Sequence, residues 1–96
     1  MLFPKDEVYS LSNQIRRSSR SVCSNLAESY GKRVYPKHFM AKITDAKSEN
    51  FETETWLDFA LKFGYLSHEK HLELMLLNQE VSKLLSYMLA NIHRYQ

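Results

Sequence analysis

Two interruptions divide the chain. The first is Tyr30-Gly31-Lys32-Arg33-Val34-Tyr35-Pro36, and the second is Phe63-Gly64-Tyr65-Leu66-Ser67. They set off three long segments, residues 5–31, 36–63 and 68–94, with no proline after the first position of the second. Gly31 suits a left-handed helix end, and Pro36 suits the first turn of the next helix. Gly64 ends a second helix, and Ser67 is placed to cap a third, with Glu69 in its first turn. Each segment predicts a helix of about 40 Å. Only two glycines and two prolines occur in all 96 residues, too few turn formers for an all-β chain. The fold class expected is all-α: one antiparallel up-down helical bundle spanning 1–96, because short connections make successive helices antiparallel neighbours.

The faces of these helices can be read from spacing. Val8, Leu11, Ile15, Ser19, Val22, Leu26 and Tyr30 recur at three and four residues and form the expected core stripe of the first segment. Beside it runs a small, polar line: Gln14, Ser18, Ser21, Asn25 and Ser29. Its small side chains predict close approach of another helix, and Gln14, Ser18, Ser21 and Asn25 are assigned to an oligomer interface. The far side holds Asn13, Arg16, Arg17, Arg20 and Ser24. In the second segment Phe39, Ile43, Ala46, Asn50, Leu57 and Ala60 share one stripe. Trp56, Phe59 and Phe63 form a separate aromatic patch on another side, which calls for cover by another chain. The third segment is the most amphipathic, with Leu74, Leu77, Val81, Leu84, Leu85, Met88, Leu89 and Ile92.

Charge is uneven along the chain. Residues 1–47 carry nine Lys/Arg against four Asp/Glu, and residues 48–96 carry four against seven. Arg16, Arg17, Arg20, Lys32, Arg33 and Lys37 are the candidate nucleic-acid contacts, because the planar guanidinium fork suits phosphate. Tyr30, Tyr35 and His38 lie among them and suit stacking on bases. The opposed charges of the two halves equally suit pairing of those halves with each other or between copies of the chain.

Catalytic and metal chemistry finds little support. His68 and His71 are three apart, one short of the metalloprotease spacing, and no third ligand is in view. Cys23 reads as a buried structural thiol, and its single occurrence excludes an internal disulfide. Glu52 and Glu54 diverge by about 160° on a helix and do not form a catalytic pair; at least one of them is expected to pair with Arg16 or Arg17, within or between chains. No phosphate loop, dinucleotide fingerprint or nucleophile elbow is present. The chain reads as a protein without catalytic residues, metal or cofactor. No apolar run is long enough for a membrane span and no signal-peptide pattern opens the sequence, so a cytoplasmic location is the expectation.

The run Gln14-Ile15-Arg16-Arg17-Ser18, with Ser21-Val22, Ser24-Asn25-Leu26-Ala27-Glu28 and Gly31-Lys32-Arg33, carries a family resemblance. So do Phe3-Pro4, Glu7, Leu11, Phe39, Ala46, Glu52-Thr53-Glu54-Thr55, Leu57 and Gly64-Tyr65-Leu66. The pattern resembles the four-helix bundle proteins encoded in intervening sequences of bacterial 23S ribosomal RNA genes, often labelled S23 ribosomal proteins. A related subfamily serves diversity-generating retroelements as an accessory protein. The resemblance implies a left-handed antiparallel bundle assembled as a homopentamer, with RNA or a reverse-transcriptase-type protein as partner. Cys23 stands where the family often has proline, so a straighter first helix is expected. The family pattern normally begins with one more helix before Phe-Pro; its absence here is expected to leave a groove. Two functions are in play: a noncatalytic oligomeric protein presenting a basic surface to RNA or a nucleic-acid-protein complex, or a structural homo-oligomer that binds no nucleic acid.

Overall fold

A computed structural model describes residues 4–95. Three helices follow one another: α1 (Pro4–Gly31), α2 (Pro36–Lys62) and α3 (His68–Ala90). A 3-10 turn, Ile92–Arg94, closes the described chain. The expected third helix reached residue 94; α3 stops earlier because Asn91 turns away, its backbone and side-chain nitrogens both donating to the Tyr87 carbonyl. No strand occurs among the described residues.

The two interruptions work differently. Gly64 adopts φ +77°. The Gly64 amide donates to the Leu61 carbonyl, and the Tyr65 amide reaches back to the Ala60 carbonyl at 2.8 Å. This is the reciprocal bonding of a helix closed by a left-handed residue. Ser67 then caps α3, its Oγ accepting the Lys70 amide at 3.0 Å. Gly31, by contrast, is not left-handed. α1 runs through it, and the Lys32 and Arg33 amides tighten onto Ser29 and Tyr30 in a three-residue pattern. Gly64→Ala therefore costs about 1 kcal/mol although no heavy atom would crowd its Cβ, whereas Gly31→Ala does not destabilise. Paired urea titrations of the two variants check this difference.

α2 is the central helix, packed on α1 along one side and on α3 along another. The Cα atoms span 48 × 25 × 14 Å, an elongated slab. Phe39, Ile43, Ala46, Leu57 and Ala60 of α2 are buried, as their stripe predicts. Val22 of α1 and Leu85 and Met88 of α3 join the main cluster, and Phe39 stacks on Tyr95 with ring centroids 6.3 Å apart.

On α1 the buried line is rotated from the expected stripe. Ser18, Val22 and Ser29 are buried, while Val8, Ser19 and Tyr30 are exposed. The small hydroxyl residues allow close approach to α2 because each bonds within its own helix. Ser18 Oγ donates to the Gln14 carbonyl at 3.0 Å, and Ser29 Oγ to the Leu26 carbonyl at 2.6 Å. Thr53 Oγ1 of α2 then donates to Ser18 Oγ at 2.6 Å. Ser18 is thus interior to one chain and is corrected from the oligomer-interface assignment. Cys23 is also corrected: it is exposed, not buried.

Between α2 and α3 the buried polar link is Asn50 with Asn78. Each side-chain nitrogen donates to the other residue's backbone oxygen, at 3.0 and 3.1 Å, and also meets its amide oxygen. Every buried side-chain nitrogen and oxygen among the described residues has a partner.

Three further links tie the ends. Tyr65 Oη donates to Glu7 at 2.9 Å; partial burial, and secondly this bond, hold its phenol above the ordinary range. Lys42 meets Glu28 at 2.6 Å, and that hydrogen bond, with the Glu28 charge, raises the ammonium above its usual value. His71 Nε2 lies 2.8 Å from Asp58 across the α2–α3 turn.

Candidate nucleic-acid interface

The outward side of α1 presents Asn13, Arg16, Arg17, Arg20 and Ser24. They share it because they recur at one, three and four residues along the helix. Together with Gln14 and Ser21 they line an open depression of about 430 Å³. All three arginines are exposed. The ion pairs among the described residues are Lys42–Glu28, Lys70–Glu73 and His71–Asp58, so these guanidinium groups carry their charge unpaired. Gln14 and Ser21 border the same depression, which puts them beside the arginines. Asn25 is half-buried and donates to the Ser21 carbonyl at 3.0 Å.

Lys32, Arg33 and Lys37 are exposed at the turn between α1 and α2. They form a second cluster, since Arg20 and Lys32 are separated by about 18 Å of helix. Here α2 begins at Pro36, which has no N–H, and the amides that follow have no side-chain cap from Tyr35. Helix N-termini favour anions. Tyr35 and His38 pack edge to face at 5.9 Å beside them. The two clusters offer positive charge, planar donor forks and one aromatic pair, the chemical features that suit phosphate and base stacking in general.

The aromatic patch lies at the other end of α2. Trp56 meets Phe59 at 5.9 Å, Phe59 stacks on Phe63 at 5.9 Å with planes 9° apart, and Phe63 meets Tyr65 at 6.4 Å. Trp56 is half-buried, while Phe59 and Phe63 are exposed. The ion pair expected between Glu52 or Glu54 and Arg16 or Arg17 does not form within the chain. Glu52 accepts the Trp56 indole N–H at 3.2 Å instead, which steadies the first ring of the ladder. His68 and His71 do not converge: His71 is engaged by Asp58, and no group of three candidate metal ligands gathers among the described residues. No helix among them is long and apolar enough to cross a membrane.

Residues 1–87 match the model of the 23S rRNA-intervening sequence protein family. The chain belongs to that family. The matched span holds all of α1 and α2 and most of α3 of this intervening-sequence protein, and both basic clusters and the aromatic ladder lie within it. No curated protein and no solved structure matches the chain.

Proposed function

We propose that this intervening-sequence protein is a noncatalytic RNA-binding protein that works in more than one copy. The observation that carries the reading is the trio Arg16, Arg17 and Arg20, exposed, unpaired and lining one depression on a rigid helix. Lys32, Arg33 and Lys37 extend the contact to the start of α2. A net charge of +2 gives a single copy modest attraction, so repeating the patch in an assembly strengthens it through effective concentration. The resemblance to a pentameric family and the Trp56–Phe59–Phe63 ladder, whose two phenyl rings are exposed, both favour such an assembly. A reverse-transcriptase-type protein bound to RNA is a partner of the same chemistry.

Binding of a labelled structured RNA, followed from 50 to 200 mM salt, tests the reading. Three released phosphate counterions predict a fall in affinity of roughly 20- to 40-fold across that range. Arg17→Glu with Arg20→Glu lowers affinity further at 50 mM salt without changing helicity or assembly. Undetectable RNA binding at 50 mM salt, or binding indifferent to salt, overturns it in favour of a purely structural oligomer.

A further inference from the structure

α2 carries two sides that its packing on α1 and α3 leaves open. One holds Asp45, Glu49, Glu52, Trp56, Phe59 and Phe63, which follow alternating steps of four and three residues. That spacing makes the seam of a helix packed on another helix. The seam flanks the α1 contact, because Trp56 follows Thr53 by three residues and Thr53 bonds Ser18. The other side holds Met40, Thr44, Lys47 and Phe51, again in steps of four and three. It flanks the α3 contact: Lys47 and Phe51 line one depression with Ser82 and Leu89 of α3. Phe51 is 71% exposed, the most open large apolar side chain among the described residues, and Met40 is 44% exposed. Around α2 the two sides stand roughly 120° apart.

We propose that these two sides meet between copies of the chain. The acidic and aromatic seam of one α2 packs on the Lys47–Phe51 side of α2 in the next copy, parallel to it, and the contact repeats head to tail around a ring. This rests on the reading that the chain works in more than one copy, and it is independent of RNA binding. Two different sides of one molecule close into a ring when a rotation relates successive copies. Rings of about five to seven copies need roughly 110–130° between the two contact directions, the angle that α2 supplies. The five-membered assembly implied by the resemblance falls in that range. Rotation about an axis parallel to the helices also keeps each residue at its own level, so equal numbers on neighbouring α2 helices stand side by side.

Charge fits that register. Lys47 of one copy falls between Asp45 and Glu49 of the next, about 3 Å of helix rise from each. Within its own chain Lys47 projects away from both, and the ion pairs among the described residues use none of the three. Lys62 falls level with Phe63, where an ammonium suits a ring face. Phe51 meets the flank of α1 at Ser21, which stands close to its level in the register set by Ser18 and Thr53. Small polar residues allow the neighbouring helices to close outside the α2 ring. Gln14 and Ser21 of one copy face Gln79, Ser82 and Ser86 of the next, which line a depression of about 360 Å³ with Glu54. Arg16 and Arg20 stay on the outer surface. Area suffices as well. α1 and α2 together offer a side about 40 Å long and about 20 Å wide, roughly the ~800 Å² per partner of a standard interface.

Paired cysteines test the contact in a Cys23→Ser background. Thr44 and Asp45 are both exposed and lie on the two different sides at one level. Thr44→Cys and Asp45→Cys, carried by one chain, are held apart by their helix. They therefore oxidise between copies, giving covalent dimers, trimers and higher species up to the ring number. Either cysteine alone cross-links at least about tenfold more slowly, because it has no thiol opposite it. A second measurement does not depend on thiols. Lys47→Glu, or Asp45→Lys with Glu49→Lys, weakens association at least about tenfold, and the three changes together restore it. Circular dichroism checks that each variant keeps its helices. Dimers formed by a single cysteine as fast as by the pair mark a twofold contact and overturn the proposal. So does an assembly by light scattering in which the cysteine pair stays unlinked, or a charge exchange that restores nothing. A chain that stays a monomer overturns both this contact and the reading it rests on. Loss of RNA binding with the covalent series intact counts against the RNA reading alone.

Discussion

Phe39→Ala is expected to lower stability by about 3–5 kcal/mol, the cost of deleting a buried aromatic ring. Phe39 is fully buried and is the largest of the wholly enclosed side chains. It occupies the first turn of α2, where its ring stacks on Tyr95 and packs into the cluster of Ile43, Leu85 and Met88. Its removal opens a cavity at the point where the end of the chain folds back on α2. The bundle is small, and domains of this size hold only about 5–15 kcal/mol in total. A loss of that order lowers Tm by at least about 12 °C. Met40→Ala, one residue along and exposed, is the matched control and stays within about 0.5 kcal/mol of the parent. Thermal and urea melts of the two variants read the difference; similar midpoints would show that the ring is not part of the core.

The second large effect concerns the paired amides. Asn78→Leu removes the partner of Asn50 and leaves a buried carboxamide with unmet hydrogen bonds, at a cost of about 1–3 kcal/mol. Asn50→Leu does the same from the other side. The double substitution removes both polar groups together, so its cost falls well below the sum of the two single changes. A double-mutant cycle by urea denaturation measures that coupling. Additive losses would mean that the two amides do not rely on one another. The replacement also frees the register of α2 on α3, because two leucines accept several offsets where the reciprocal amide bonds accept one.

The helices were legible because their ends are written locally. Gly64, Ser67 and Pro36 act through backbone preference and short-range bonds, which spacing alone reveals. The face of α2 was legible for a similar reason: it is covered from two directions, so its apolar stripe and its buried stripe coincide. Among the described residues α1 packs mainly on α2. Its apolar stripe, including Ile15, lines the open groove, and its small serines face α2. Periodicity locates such a stripe but does not say which of two adjacent lines the neighbour takes. The Asn50–Asn78 link was half legible. Asn50 stood out on an apolar stripe, but its partner is 28 residues away with no pattern joining them. The arginine cluster was legible as charge on one side of a helix. Its assembly with Gln14 and Ser21 into one depression required the three-dimensional surface.

The central place of α2 also bears on how the chain acquires its shape. Each of its two main helix contacts joins neighbours in sequence, through a turn of a few residues. Neither requires the chain to search for a distant segment, so the entropic cost of closing loops is low and folding belongs to the microsecond-to-millisecond regime of helical bundles. The same connectivity gives the slab two hinges of unequal strength. The α2–α3 turn is locked by the Gly64 bonds and by Ser67, while the α1–α2 turn is held by backbone bonds of the three-residue kind. The α1–α2 turn is therefore the more pliable of the two. An opening there parts the serine side of α1 from α2 while the α2–α3 hairpin keeps its amide link, and the arginines, outward already, stay exposed throughout.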